Sequence, residues 1–165
     1  MEPARPLNVI ILMYNEDCFF CRLIQGKEKR WLVYEDDRHV AFLTPFPNTP
    51  GFTVLATREH RSSYIPSLPE ERFLELTATA RELALTIDRK LGTKRTGIVM
   101  EGMGIDHAHV KLIPMHGIPE SEWKPMLSHR AEFNELYQGY LTTHDGPRMS
   151  DEELDRIQAI IRNEK

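Results

Sequence analysis

Residues 107–114 read His107-Ala108-His109-Val110-Lys111-Leu112-Ile113-Pro114, polar and apolar side chains alternating before a proline. A period of two is that of a β-strand, whose side chains point alternately to opposite faces. His107, His109 and Lys111 then share one face; Ala108, Val110 and Leu112 take the other. The apolar side suits a core, so two imidazoles and an ammonium in step face a cleft. An exposed strand face is the plainer alternative. Gly102-Met103-Gly104 lies just upstream. Glycine there lets backbone N–H groups approach an anion closely.

The segments around this strand predict what it packs against. Trp31–Glu35 and His39–Leu43 read as two strands of a hairpin, turned by Asp36-Asp37-Arg38. Phe52–Thr57 reads as a third strand and Thr96–Met100 as a fourth. Between them Ser67-Leu68-Pro69-Glu70-Glu71 starts a helix, with Ser67 as cap, and Gly92 stops it. Phe73, Leu76, Ala80, Leu83, Ala84 and Ile87 keep a spacing of three and four, so one helix face packs on a sheet. Asp106–Pro114 is the fifth strand. The order predicts an α+β fold: an antiparallel sheet of about five strands with one long helix on it. Residues 1–16 read as an arm, 17–116 as the core domain and 117–165 as an extension packed on that domain. In the extension, Pro119–Leu136 reads as mostly helical, Tyr137–Thr143 as a strand, and Ser150-Asp151-Glu152-Glu153 as the start of a last helix.

Composition narrows the function classes. The 165 residues carry a formal net charge of -4, and a net negative chain is poorly suited to non-specific binding of nucleic acid. A small phosphorylated ligand stays open, because a few local donors suffice for it. The apolar run Val9–Met13 is too short to span a bilayer and lacks a signal-peptide layout. A soluble, cytoplasmic protein is expected. The two cysteines, Cys18 and Cys21, form one Cys-x-x-Cys pair. That leaves a metal site, a redox pair or two buried core residues.

The ordered set of segments resembles the histidine triad (HIT) family, whose active strand is His-Φ-His-Φ-His-Φ-Φ with Φ apolar. Cys18-Phe19-Phe20-Cys21 resembles the family's opening, and Val33–Asp37 followed by Ala41-Phe42-Leu43 resembles its first hairpin. Pro50–Leu55 and Arg58-Glu59-His60 resemble its Pro-Gly-His-x-Leu and Lys-x-His segments. The resemblance implies a hydrolase or nucleotidyl transferase acting on a nucleoside mono- or polyphosphate or its conjugate. His109 would attack the α-phosphorus, oriented by the backbone carbonyl of His107, and a covalent nucleotidyl-histidine would form. It also implies a homodimer, and a base pocket near Phe20, Leu23 and Phe42, with Leu43, Thr44 and Pro45 beside it. Those residues also suit a plain core. Gly102 and Gly104 would serve the phosphate.

Three positions depart from the family pattern. Lys111 replaces the third histidine, Phe52 the histidine after Pro-Gly, and Thr44 an acidic residue that touches ribose. Lys111 suits a phosphate-binding cation but cannot replace a neutral imidazole. Family branches that swap the third histidine include transferases. In some relatives the Cys-x-x-Cys pair binds zinc with the histidine leaving the third strand and the first histidine of the active strand. That implies a closed structural site of Cys18, Cys21, His60 and His107. Other readings compete with the enzyme: a non-catalytic nucleotide-binding or signalling module, and a zinc-dependent structural adaptor.

Overall fold

The computed structural model describes residues 14–119, 124–142 and 146–154. The chain separates into two compact units, Met1–Glu122 and Trp123–Lys165.

In the first unit, helix α1 (Phe19–Ile24) precedes strands β1 (Leu32–Glu35), β2 (His39–Leu43) and β3 (Thr53–Thr57). Helix α2 (Glu70–Leu91) then leads to β4 (Thr96–Val99) and β5 (His109–Pro114). The strands form one antiparallel sheet in the order β1-β2-β3-β5-β4. The strand bearing His109 is therefore internal, paired on both sides.

The sheet's two faces have different partners. Ala41, Leu55, Val110 and Leu112 meet Leu76, Ala80, Leu83 and Ile87 of α2 in one apolar core. Val40, Phe42, Val54 and Ala56 meet Cys18, Phe20, Cys21 and Leu23 of the α1 segment in a second. The register sets Ala56 opposite His109 and Val54 opposite Lys111, so both polar residues belong to the α1 face. The alternation read from the sequence thus sorts core from site as expected. Phe73, expected on the packed stripe of α2, is 37% exposed; the buried stripe begins one turn later at Leu76.

Ser67 does not cap α2. It ends a short 3-10 turn (Ile65–Ser67), and its hydroxyl donates to the Tyr64 carbonyl at 2.7 Å. Pro69 holds Leu68 extended (φ -66°, ψ 147°), so the helix begins only after Pro69. Ser67 is left too far upstream to reach the first helical N–H groups. Glu70 and Glu71 favour the N-terminal end of the dipole, Arg89 and Lys90 the other, and Gly92 closes the helix at φ 67°.

The β1–β2 turn is built on Asp36. Its Oδ1 accepts the backbone N–H groups of Arg38 and His39 at 2.7 and 2.6 Å, and its Oδ2 accepts the Tyr34 hydroxyl at 2.6 Å. The fifth strand is shorter than expected. Residues 106–108 bend: the His107 N–H bonds back to the Ile105 carbonyl at 2.8 Å, and that of Ala108 to Arg61 at 2.9 Å.

In the second unit, residues 124–142 carry neither helix nor strand, unlike the helix and strand expected there. Residues 1–13 of the expected arm, 120–123 of the expected helix and Thr143 of the expected strand lie outside the described residues. The side chains of residues 124–142 are exposed throughout, so no buried face repays regular structure. Residues 151–154 are helical, and the Glu153 N–H meets the Ser150 hydroxyl at 3.2 Å, as its capping pattern predicts. Among the described residues no helix is long and apolar enough to cross a membrane.

Candidate functional site

His109 is 4% exposed, and its Nδ1 lies 2.6 Å from the His107 carbonyl oxygen. A carbonyl only accepts, so Nδ1 carries the proton and Nε2 keeps its lone pair. Phe20 meets the His109 ring edge-on, with centroids 5.3 Å apart. Burial lowers the pKa of His109, and the nearby Lys111 charge adds to this against the opposing His107 carbonyl and Glu101. The imidazole is thereby kept neutral.

His107 is fixed in the same way with the opposite nitrogen. Its Nε2 lies 2.7 Å from the Thr57 carbonyl oxygen and donates to it. Nδ1 is then bare, and it faces Cys18 Sγ at 3.4 Å and Cys21 Sγ at 3.6 Å. His60, leaving β3, brings its Nδ1 to 3.5 Å from Cys21 Sγ. The donor atoms of Cys18, Cys21, His60 and His107 all lie within 4.8 Å of one another. Burial takes the His107 pKa down to about 4 and raises that of Cys21, with Cys18 beside it adding to the rise. Four soft or borderline donors from α1, the β3 exit and the β5 entry can hold a metal ion. No disulfide links the two cysteines.

A cleft of about 380 Å³ opens beside His109. Of the residues named above for substrate binding, Phe20, Leu23, Phe42, Leu43, Thr44, Gly104 and Lys111 line it. Gly102 does not. Its backbone, at φ 72°, packs so tightly that a Cβ there would lie 2.5 Å from the Ser63 carbonyl oxygen. Asp106 accepts the Ser63 N–H at 2.8 Å, which ties the same loop down again. Lys111 is paired with Glu101.

Sequence reasoning missed Lys29, Arg30 and Trp31 on the cleft wall. Lys29 lies over the Trp31 ring at 5.0 Å, and Arg30 donates to the Leu23 and Ile24 carbonyls at the end of α1. A basic pair followed by an aromatic was the available signal. His39 and His116 stand apart: His39 contacts Asp36 and Thr79, and His116 bonds the Pro50 carbonyl.

Comparisons with known proteins agree with this architecture. An uncharacterized HIT-like protein of Saccharolobus solfataricus is 25% identical over 126 residues, covering 73% of this chain and 90% of that protein. A crystal structure from Streptococcus mutans superposes with a TM-score of 0.64 at 21% identity, covering 92% of this chain and 87% of that one. A Zn-bound histidine triad family protein from Mycobacterium smegmatis gives 0.57 at 21% identity, covering 66% of this chain and 83% of that one. The HIT domain model matches residues 25–122, which takes in the hairpin, the long helix and the histidine strand, and the chain belongs to the HIT domain family.

Proposed function

We propose that this protein is a hydrolase or nucleotidyl transferase acting at the α-phosphate of a nucleoside phosphate or its conjugate, through a covalent intermediate on His109. The observation that carries this reading is the fixed tautomer of His109. Its Nδ1–H is engaged by the His107 carbonyl at 2.6 Å, which leaves the Nε2 lone pair free on a residue lining the cleft. A neutral, oriented imidazole is a competent nucleophile at neutral pH. Nε2 forms a bond to phosphorus as the bond to the leaving group breaks, and the leaving group departs with the electron pair and takes up a proton. Water, or another acceptor in a transferase, then attacks phosphorus and releases His109. The Lys111 ammonium supplies positive charge beside the phosphoryl oxygens. The apolar walls, Phe20, Leu23 and Phe42, suit the face of a nucleobase, and Thr44 and Gly104 offer polar groups.

The same proposal assigns Cys18, Cys21, His60 and His107 to a structural zinc. Tetrahedral zinc with bonds of about 2.3 Å to sulfur and 2.05 Å to nitrogen has S–N edges of about 3.6 Å. Three of the four sulfur–nitrogen distances, 3.4, 3.5 and 3.6 Å, fit that edge. The relative from Mycobacterium smegmatis is described as Zn-bound, which supports the assignment. Four protein donors leave no open position, so zinc would brace the site rather than activate water. His107 then links the two: its ring serves the metal and its carbonyl orients His109.

Turnover of a panel of nucleoside phosphates, phosphoramidates and dinucleoside polyphosphates tests the activity. His109→Ala should lower turnover at least about a thousandfold with nucleotide binding retained. Binding without turnover across the panel by the unaltered protein would instead establish a non-catalytic module.

A further inference from the structure

Lys111 on the cleft wall belongs to an ion pair that the motif does not announce. Glu101 follows β4 by two residues, and β4 pairs with β5 so that Val99 stands opposite Lys111. The Glu101 carboxylate pairs with the Lys111 ammonium, and its side chain is only 10% exposed. Lys111 lines the cleft with His109, whereas Glu101 is not part of the lining and reaches the site through its contact with Lys111. Two further cations stand on the same wall, neither of them paired there with a carboxylate. Arg30 donates to two carbonyls of α1, and Lys29 sits over Trp31. The ammonium beside His109 is therefore countered at contact range by a part-buried carboxylate.

Resting on the nucleotide reading above, we propose that Glu101 is a specificity-determining residue that makes the phosphate position select singly charged phosphoryl groups. A phosphodiester or phosphoramidate linkage carries one negative charge, which the ammonium can bind at close range. A free nucleoside monophosphate carries nearly two at neutral pH, since the second phosphate pKa is about 6. The second charge gains little from a cation already countered, and it is repelled by the carboxylate paired with that cation. The site accordingly favours a nucleotide still joined to its leaving group over the monophosphate left after hydrolysis. Intact conjugates are held and the product is shed. Lys111 supplies the charge, and Glu101 holds it in place and limits it.

The test compares the affinity of the full-length protein, at pH 8, for adenosine and guanosine 5′-monophosphates and for their methyl phosphodiesters. The wild type should bind the methyl ester at least as tightly as the monophosphate. Glu101→Gln should tighten the monophosphate relative to its ester by about tenfold, and Glu101→Asp, which keeps the charge, should retain the wild-type ratio. A residue needed only for folding would weaken both ligands together and would not produce this gain. An unchanged ratio in Glu101→Gln overturns the proposal. If that variant does not fold, the wild-type ratio decides: a tenfold preference for the dianion overturns the proposal. A wild type that binds none of the four ligands defeats the nucleotide reading itself, and this inference falls with it. That pattern is distinct from binding without discrimination.

Discussion

The Nε2 of His107 donates to the Thr57 carbonyl at 2.7 Å, and this one bond decides which nitrogen faces the cysteines. With the proton committed to β3, Nδ1 is left bare 3.4 and 3.6 Å from the two sulfurs. The carbonyl of the same residue holds His109. The proposed metal site and the proposed nucleophile thus share one residue, ring for one and backbone for the other.

That sharing predicts how the metal matters. Purified protein should contain about one zinc per chain by elemental mass spectrometry. Cys18→Ser should lose most of it and lower Tm by about 8 °C or more, because metal binding free energy adds to folding free energy. Activity should fall as well, through misplacement of His107. Metal-free protein with unchanged Tm and full activity would remove zinc from the account.

The β1–β2 turn gives a pH-dependent prediction. Burial pushes the Asp36 carboxyl up, but the Tyr34 hydroxyl and the His39 N–H outweigh it, and the pKa lies below the ordinary 3.8. A carboxylate depressed in the folded state contributes stability above its unfolded pKa. That contribution is lost as pH falls through the folded value. Asp36→Asn should therefore cost about 1 kcal/mol at pH 7 and progressively less below 3.8. Urea denaturation at the two pH values measures this. An equal cost at both would mean the charge of Asp36 contributes nothing.

Gly102 carries the loop that presents Glu101. With φ at 72° and the Ser63 carbonyl oxygen 2.5 Å from where a Cβ would stand, Gly102→Ala must shift backbone. A loss of about 2 kcal/mol is expected. Because Glu101 is adjacent, the same variant should disturb ligand discrimination. Thermal unfolding together with the ligand comparison above checks both. A fully stable Gly102→Ala protein would contradict the geometry.

The sheet was legible because its signals are local. Period-two alternation in residues 107–114 sorted Val110 and Leu112 to the α2 core and His109 and Lys111 to the α1 face. Gly92 marked the end of α2 through its left-handed backbone alone. The start of α2 was misjudged because Ser67 has a better local use, its bond to Tyr64, and Pro69 moves the boundary. Residues 124–142 have turn- and helix-compatible composition but no buried face, and composition does not reveal that. Cys18, Cys21, His60 and His107 stand together, although they are scattered along the chain, because strand pairing brings the β3 exit to the β5 entry. Only the family resemblance made that cluster visible beforehand. Glu101 had no such help. Its partnership with Lys111 depends on the β4–β5 register, and nothing in a Glu-Gly-Met-Gly loop announces it.

In the proposed reaction His109 becomes covalently nucleotidylated. The most direct measurement is rapid acid quenching of the protein with a turned-over nucleoside phosphate, followed by intact-mass and peptide analysis. A nucleotidyl adduct should appear on the peptide containing His109, formed within one turnover and absent from His109→Ala. Full turnover by His109→Ala, or an adduct on another residue, would contradict it.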